Sequence, residues 1–180
     1  MRAVAALGLV ASLFYVADRV SKIVVVDNLV LGKSVPFIGD LLRLRYVENP
    51  GAAFSLGSGS TWVFAIIAGA VSVFIVLFAR RIHSIAWAVV FGMLLGGTLG
   101  NLTDRLTREP GFGRGYVVDF FELWGFPAIF NIADVAIVSS MALFIILTIR
   151  GVGLDGTRQV RPRDRSGDDS AISAEPSDQR

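Results

Sequence analysis

The chain has 180 residues, 53% of them hydrophobic, with a net charge of +2 and a mean hydropathy of +0.63, which takes it outside the range of ordinary soluble domains. A net charge that small gives no footing for nucleic-acid binding. With no cysteine there is no disulfide, thiolate nucleophile, Cys-ligated metal or lipid-modified Cys, and a single histidine, His83, excludes a Ser–His or multi-His centre, so elimination leaves carboxylate chemistry.

Apolar residues cluster in four windows, each near the length of roughly 20 residues that a spanning helix requires. The first covers residues 3–26. Its apolar run is long and lacks a small-x-small cleavage site, so it reads as an uncleaved first span rather than a signal peptide. Asp18 and Lys22 lie near its end, four apart, in the favourable order for an ion pair on one helix face. Next, Leu42-Arg43-Leu44-Arg45-Tyr46 alternates with period two, as a half-buried strand does, and leads to the turn signal Asn49-Pro50-Gly51. Residues 33–60 are therefore expected to form a short sheet, a platform on the membrane surface that presents basic side chains to headgroups, with an ordinary hairpin loop as the alternative.

The second and third spans are expected at 62–79 and 85–103, joined by a short loop with Arg80, Arg81 and His83. Gly92, Gly96 and Gly100 give two overlapping G-x-x-x-G spacings, which allow helix backbones to approach closely. Asn101, Asp104 and Arg105 close that span. Asp119 ends the run Gly115-Tyr116-Val117-Val118-Asp119, and the fourth span is expected at 127–149, with Pro127 as its first helical residue. On that basis Asp134 sits about seven residues, or roughly 10 Å, into the helix. Asn131 lies three residues earlier on the same face, free to bond Asp134 or a substrate peptide group. From residue 153 the composition turns to Arg, Asp, Ser and Gly, the signature of a disordered polar tail. Residues 1–152 thus form the membrane domain and 153–180 the tail, and removal of the chain after Gly153 is expected to leave activity intact.

Four alternating spans bring Asp18, Lys22, Glu48, Asn49, Gly51, Asn101, Asp104, Arg105, Asp119, Asn131 and Asp134 to one membrane face. The other face receives Arg2, Arg80, Arg81, Arg150 and the tail arginines, so the positive-inside rule makes it cytoplasmic, with both termini. A carboxylate within a membrane helix costs about 2.5–3.5 kcal/mol on insertion scales and needs a partner or a purpose. Two carboxyls converging in a low-dielectric site cannot easily both ionise, which suits acid–base hydrolysis. A structural polar contact within the bundle is the alternative.

In order along the chain, Asp18-x-x-x-Lys22, Asn49-Pro50-Gly51-Ala52-Ala53-Phe54-Ser55, Gly96-Gly97-Thr98-Leu99-Gly100-Asn101-Leu102-Thr103-Asp104-Arg105, Val118-Asp119-Phe120 and Phe130-Asn131-Ile132-Ala133-Asp134 resemble the blocks of the lipoprotein signal peptidases, the bacterial type II signal peptidases. The resemblance covers the chain from residue 3 to about residue 150. It implies a membrane aspartic endopeptidase that cuts prolipoproteins just before a diacylglyceryl-modified cysteine. The fold implied is an integral membrane, mainly α, four-transmembrane-helix bundle with a small extracytoplasmic β-sheet platform between spans one and two. By motif, Asp119 and Asp134 would be the catalytic pair. Asp18, Lys22, Asn49, Gly51, Asn101, Asp104, Arg105 and Asn131 would support the pocket or the substrate backbone. No metal or organic cofactor is implied. Expected partners are diacylglyceryl-modified prolipoproteins and membrane lipids, with no nucleic acid and a monomeric state. The expected location is the bacterial cytoplasmic membrane. Pro50, Val135 and the long tail depart from the family pattern, none at a catalytic position.

Two other classes remain open. A transporter or channel would line a path with Asp18, Lys22, Asp119 and Asp134, but these polar groups stop at one face and no internal repeat is evident. A non-catalytic assembly protein would tolerate Asp→Asn changes. A presenilin-like protease would need a Gly-x-Gly-Asp motif, which is missing.

Overall fold

A computed structural model describes residues 1–51 and 61–157. The chain runs α1 (Arg2–Asn28), β1 (Ser34–Ile38), β2 (Leu42–Asn49), α2 (Thr61–Phe78), a 3-10 turn (Ala79–Arg81), α3 (Ile85–Thr107), β3 (Val117–Leu123), β4 (Ile129–Phe130) and α4 (Ile132–Ile149). All four α-helices are long and apolar enough to cross a membrane. The protein is a mainly helical membrane protein. α3 is its centre: 61% of its most apolar stretch is buried, against 17–22% in the other three helices. Their uncovered apolar faces are what lipid would cover.

The glycines of α3 explain that central place. A Cβ at Gly96 would lie 2.5 Å from the Ala11 carbonyl oxygen of α1, and one at Gly92 would lie 2.8 Å from the Leu7 oxygen. On another side of α3, a Cβ at Gly97 would lie 2.6 Å from the Ala133 oxygen of α4. Close approach on both sides lets α1 and α4 bring their polar residues to the same level of α3. Below that level the packing is apolar, built from Leu7 and Ala11 of α1, Ile75 of α2, and Trp87, Val90 and Leu95 of α3.

The sheet differs from expectation. It has four antiparallel strands in the order β1-β2-β3-β4, so half of it comes from the segment between α3 and α4 rather than from residues 33–60 alone. Asp119 is a residue of β3, opposite Val47 of β2. Val117 to Phe120 are all buried, a run covered on both faces, so period-two alternation never shows there and the strand escapes a sequence reading. The register slips between Leu44 and Val47, a bulge next to the functional residues.

Two boundaries also move. Residues 127–131 are not helical: Ile129 and Phe130 pair with Glu122 and Phe121, and α4 starts only at Ile132. Hydropathy continues across the break, which is why the span reads as beginning at Pro127. Asp134 is therefore the third residue of its helix, about 3 Å along it rather than 10 Å. The boundary expected at residue 153 moves as well. The Leu154 carbonyl accepts from the backbone N–H groups of His83 and Ser84 (3.0 and 2.9 Å), and the Val152 carbonyl accepts from Trp87 Nε1 (3.0 Å). The segment that follows α4 is thus clipped to the α2–α3 connection through Val152 and Leu154, and only residues 158–180 of the expected tail, with Arg158, Arg161, Arg163 and Arg165, lie outside the described residues. Truncation after Thr157 is accordingly expected to leave the detergent-solubilised Tm unchanged. Truncation after Gly151 should lower it, since three hydrogen bonds worth about 1.5–4.5 kcal/mol of stability in all are lost. Equal Tm values for the two truncations would show that the clip contributes nothing.

Candidate active site

The site is organised by the first turn of α4. Asn131 is its N-cap, and its Oδ1 accepts from Asp134 N (3.0 Å) while Asp134 Oδ2 accepts from Asn131 N (3.1 Å), a reciprocal capping box. The next free N–H, that of Ala133, donates to Asp18 Oδ1 of α1 at 3.0 Å. The positive end of α4 is thereby satisfied by carboxylates from two elements.

The same Asn131 reaches the other aspartate. Its Nδ2 donates to Asp119 Oδ1 at 2.6 Å, and also lies 3.1 Å from Asn101 Oδ1 and 3.3 Å from the Val118 carbonyl. Asp119 Oδ2 accepts from Asn49 Nδ2 at 2.7 Å, and Asn49 Oδ1 in turn accepts from Gly51 N at 2.8 Å. Asp134 Oδ1 accepts from Asn101 Nδ2 at 2.9 Å. Three asparagines from β2, α3 and the head of α4 therefore hold the two carboxyls, with Asn131 bonded to both. Asp119 is 2% exposed. Burial pushes its carboxyl up to about 7, and the neighbouring Asp134 adds to the rise, against the opposing amide donors of Asn49 and Asn131.

Beneath the dyad lies an ionic cluster. Lys22, fully buried, places its ammonium 2.8 Å from Asp18 Oδ2, 2.9 Å from Asp104 Oδ2 and 2.9 Å from Asn101 Oδ1. Asp104, also fully buried, pairs with Arg19 and with Arg108 Nε (2.8 Å) and accepts from Val118 N (3.3 Å). Such a cluster is costly to desolvate and survives only because each charge has partners.

Above the dyad a cleft of about 850 Å³ is lined by Val47, Asn49, Asp119, the 126–130 segment, Asp134, Val135, Val138 and Ser139. Val135 and Val138 are exposed residues of α4, so the cleft runs from the carboxyls to a face of the bundle that lipid would border. Two carboxyls of unequal burial beside an apolar cleft have the equipment for acid–base hydrolysis.

The model of the signal peptidase (SPase) II family, a peptidase A8 family, matches residues 10–150. The chain belongs to the signal peptidase II family. It is thus an aspartic peptidase of the membrane. Its relatives include proteins named lipoprotein signal peptidase from Leifsonia xyli subsp. xyli, 54% identical over 92% of this chain and 79% of the relative, and from Streptomyces coelicolor, 48% identical over 87% and 76%. Two solved structures of bacterial membrane enzymes, obtained by the in meso method, align with TM-scores of 0.71 and 0.68 at 28% and 31% identity. They cover 85% and 79% of this chain and 93% and 91% of theirs.

Within the chain, Asp18, Lys22, Asn49, Asn101, Asp104, Asp119, Asn131 and Asp134 form one hydrogen-bonded and ion-paired assembly. Asn131 takes the first of the two roles expected of it, the bond to Asp134, and its remaining side-chain donors are engaged by Asp119, Asn101 and the Val118 carbonyl. Gly51 and Arg105 stand at the edge. Gly51 has a positive φ of 105°, and a Cβ there would lie 2.9 Å from the Phe64 ring. Arg105 stacks over that ring at 5.2 Å, and among the described residues its Nη1 has no hydrogen-bond partner. Ala52 to Ser55, the rest of the second motif, lie outside the described residues. Arg19 and Arg108 were missed by sequence reasoning. The spacing of Asp104 and Arg108, four apart on one helix, was the available signal for the second; adjacency to Asp18 carried none for the first.

Proposed function

We propose that the protein removes the signal peptide from bacterial prolipoproteins, cutting on the N-terminal side of a diacylglyceryl-modified cysteine with water activated by Asp119 and Asp134. The observation that carries this reading is the bridging of both carboxyls by Asn131 at the base of a cleft that opens along α4. The names of the relatives support the substrate class.

Asp134 is partly exposed in the cleft and serves as the base, taking a proton from the attacking water. Asp119, deeper and protonated through burial, donates to the scissile carbonyl oxygen as the tetrahedral intermediate forms. The proton now on Asp134 passes to the leaving amine as the C–N bond breaks, and one hydroxyl of the gem-diol intermediate returns its proton to Asp119 as the carbonyl re-forms. Apolar Val135 and Val138 would border the acyl chains or the signal-peptide helix, which stay in lipid while the peptide bond meets the dyad. The site would face the extracytoplasmic side, with both termini cytoplasmic, by the distribution of arginines. No metal or organic cofactor enters this scheme, and the unit of function is a monomer.

The pH dependence follows from Asp119. Its raised pKa keeps the acid protonated at lower pH, and the proton is lost as pH rises through about 7. kcat is therefore expected to fall as pH increases above about 7, the limb belonging to the coupled pair rather than to one residue. A kcat profile of the solubilised enzyme that rises continuously into the alkaline range would reverse the assignment of acid and base.

The reading itself is tested by incubating purified protein in detergent with a diacylglyceryl-modified prolipoprotein and with its unlipidated form. Cleavage of the lipidated precursor alone, directly before the modified cysteine, is the expected result. No cleavage, or equal cleavage of both forms, would contradict it.

A further inference from the structure

The ionic cluster under the dyad is larger than pocket support requires, and one contact in it has a direction. An asparagine amide can be turned two ways, offering either its oxygen or its NH2 to a neighbour. For Asn101 the choice decides whether Asp134 receives a hydrogen bond or faces a carbonyl. An ammonium has donors and no acceptor, so the Lys22 contact at 2.9 Å requires the Asn101 oxygen on that side. Asn131 Nδ2, 3.1 Å from the same oxygen, is a second donor. The NH2 is left pointing at Asp134 Oδ1, 2.9 Å away. The side chain of Asn131 is fixed by a different device, the capping box at the head of α4.

We propose that Lys22 is a positioning residue for the peptidase: by holding the Asn101 oxygen it turns the Asn101 NH2 onto Asp134, and so selects the hydrogen-bonding polarity of the dyad. The inference rests on the function proposed above and adds the reason that a cation stands under the site without being among the atoms that line the cleft. Asp18 and Asp104 hold the ammonium in place from α1 and α3. Arg19 and Arg108 hold Asp104 in turn, so the direction of one amide is anchored by five charged side chains. The other charged groups on the elements around Lys22 are Arg2 and Asp27 on α1, Arg105 on α3, Arg43, Arg45 and Glu48 on β2, Asp119 and Glu122 on β3, and Asp134 on α4. Glu48 is occupied by the Tyr46 hydroxyl at 2.7 Å.

Glutamine at position 22 offers both a donor and an acceptor, so it no longer dictates which way Asn101 turns. The Asn101 oxygen is then held only by Asn131 Nδ2 at 3.1 Å, a donor shared with Asp119 and the Val118 carbonyl, so Asn101 can turn its oxygen to Asp134, which opposes the charged form of the base. In Lys22→Gln, kcat on a lipidated precursor should fall by roughly tenfold to a hundredfold, with KM within about twofold. The acid limb of the kcat profile should move up by about one pH unit. Because the effect runs through Asn101, the double variant Lys22→Gln/Asn101→Ala should lose no more kcat than Asn101→Ala alone. Multiplying losses, or an unmoved acid limb, would overturn the proposal and leave Lys22 with a packing role only. If Lys22→Gln does not fold, the charge-balanced pair Lys22→Gln/Asp104→Asn carries the same two readouts against an Asp104→Asn background. Cleavage by the wild type in the same assay separates failure of this inference from failure of the proposed function.

Discussion

Asp134→Asn and Asp119→Asn should each lower kcat by about 10³–10⁴-fold, with the wild-type fold retained in detergent. The two changes remove different functions. Asn at 134 has no basic oxygen of comparable strength for the attacking water. Asn at 119 cannot give up and recover a proton at the scissile carbonyl. Each variant also turns an NH2 toward a group that donates in the wild type, Asn101 or the Asn131 backbone for residue 134, and Asn49 or Asn131 for residue 119. That mismatch costs about 1–3 kcal/mol, so Tm should be recorded beside kcat. A loss of kcat far beyond any loss of folded protein is the predicted result. Near-normal turnover in either variant would reduce that aspartate to a structural contact, the reading that a non-catalytic membrane protein would require.

The second large effect belongs to a residue that never meets the substrate. Asn131→Ala removes the cap of α4, the donor to Asp119 Oδ1 and the bond to Asn101 together. Loss of a cap costs about 0.5–2 kcal/mol, and buried groups left unpaired add to this. Activity should fall further than stability, by about 10²-fold or more in kcat, because both carboxyls lose a common restraint. Asn131→Asp tests the point from the other side. It keeps the cap acceptor, and so most of Tm, but replaces the donor to Asp119 with a third carboxyl. If Asn131→Asp retained wild-type kcat, the amide bridge would have no part in catalysis.

Asn131 also shows how far the sequence could be read. The four apolar windows, the polar face and the convergence of Asp119 and Asp134 follow from hydropathy, span parity and the motif blocks, and the structure has the same helices and the same gathering of residues. The start of α4 does not follow from hydropathy, because Phe126 to Phe130 are as apolar as the helix they precede. The better signal was local: Asn131 and Asp134, three apart before an apolar run, have the form of a capping box, and that places the helix start at Ile132. β3 was hidden for a related reason, since a strand buried on both faces shows no alternation. The glycines of α3 gave the close approach but not its partners, which depend on three helices meeting at once. The direction of the Asn101 amide lies furthest from the sequence, for it exists only when Lys22, Asn131 and Asp134 surround one side chain.

The most direct measurement of the central claim is a single turnover of lipidated precursor in water enriched in oxygen-18, with mass analysis of both the released signal peptide and the enzyme. If Asp134 activates water for direct attack, one heavy oxygen enters the new C-terminal carboxylate of the signal peptide, and Asp119 and Asp134 stay unlabelled. Heavy oxygen found in either aspartate after that turnover would mean that a carboxylate attacked the peptide bond itself, and would contradict a water-activating dyad.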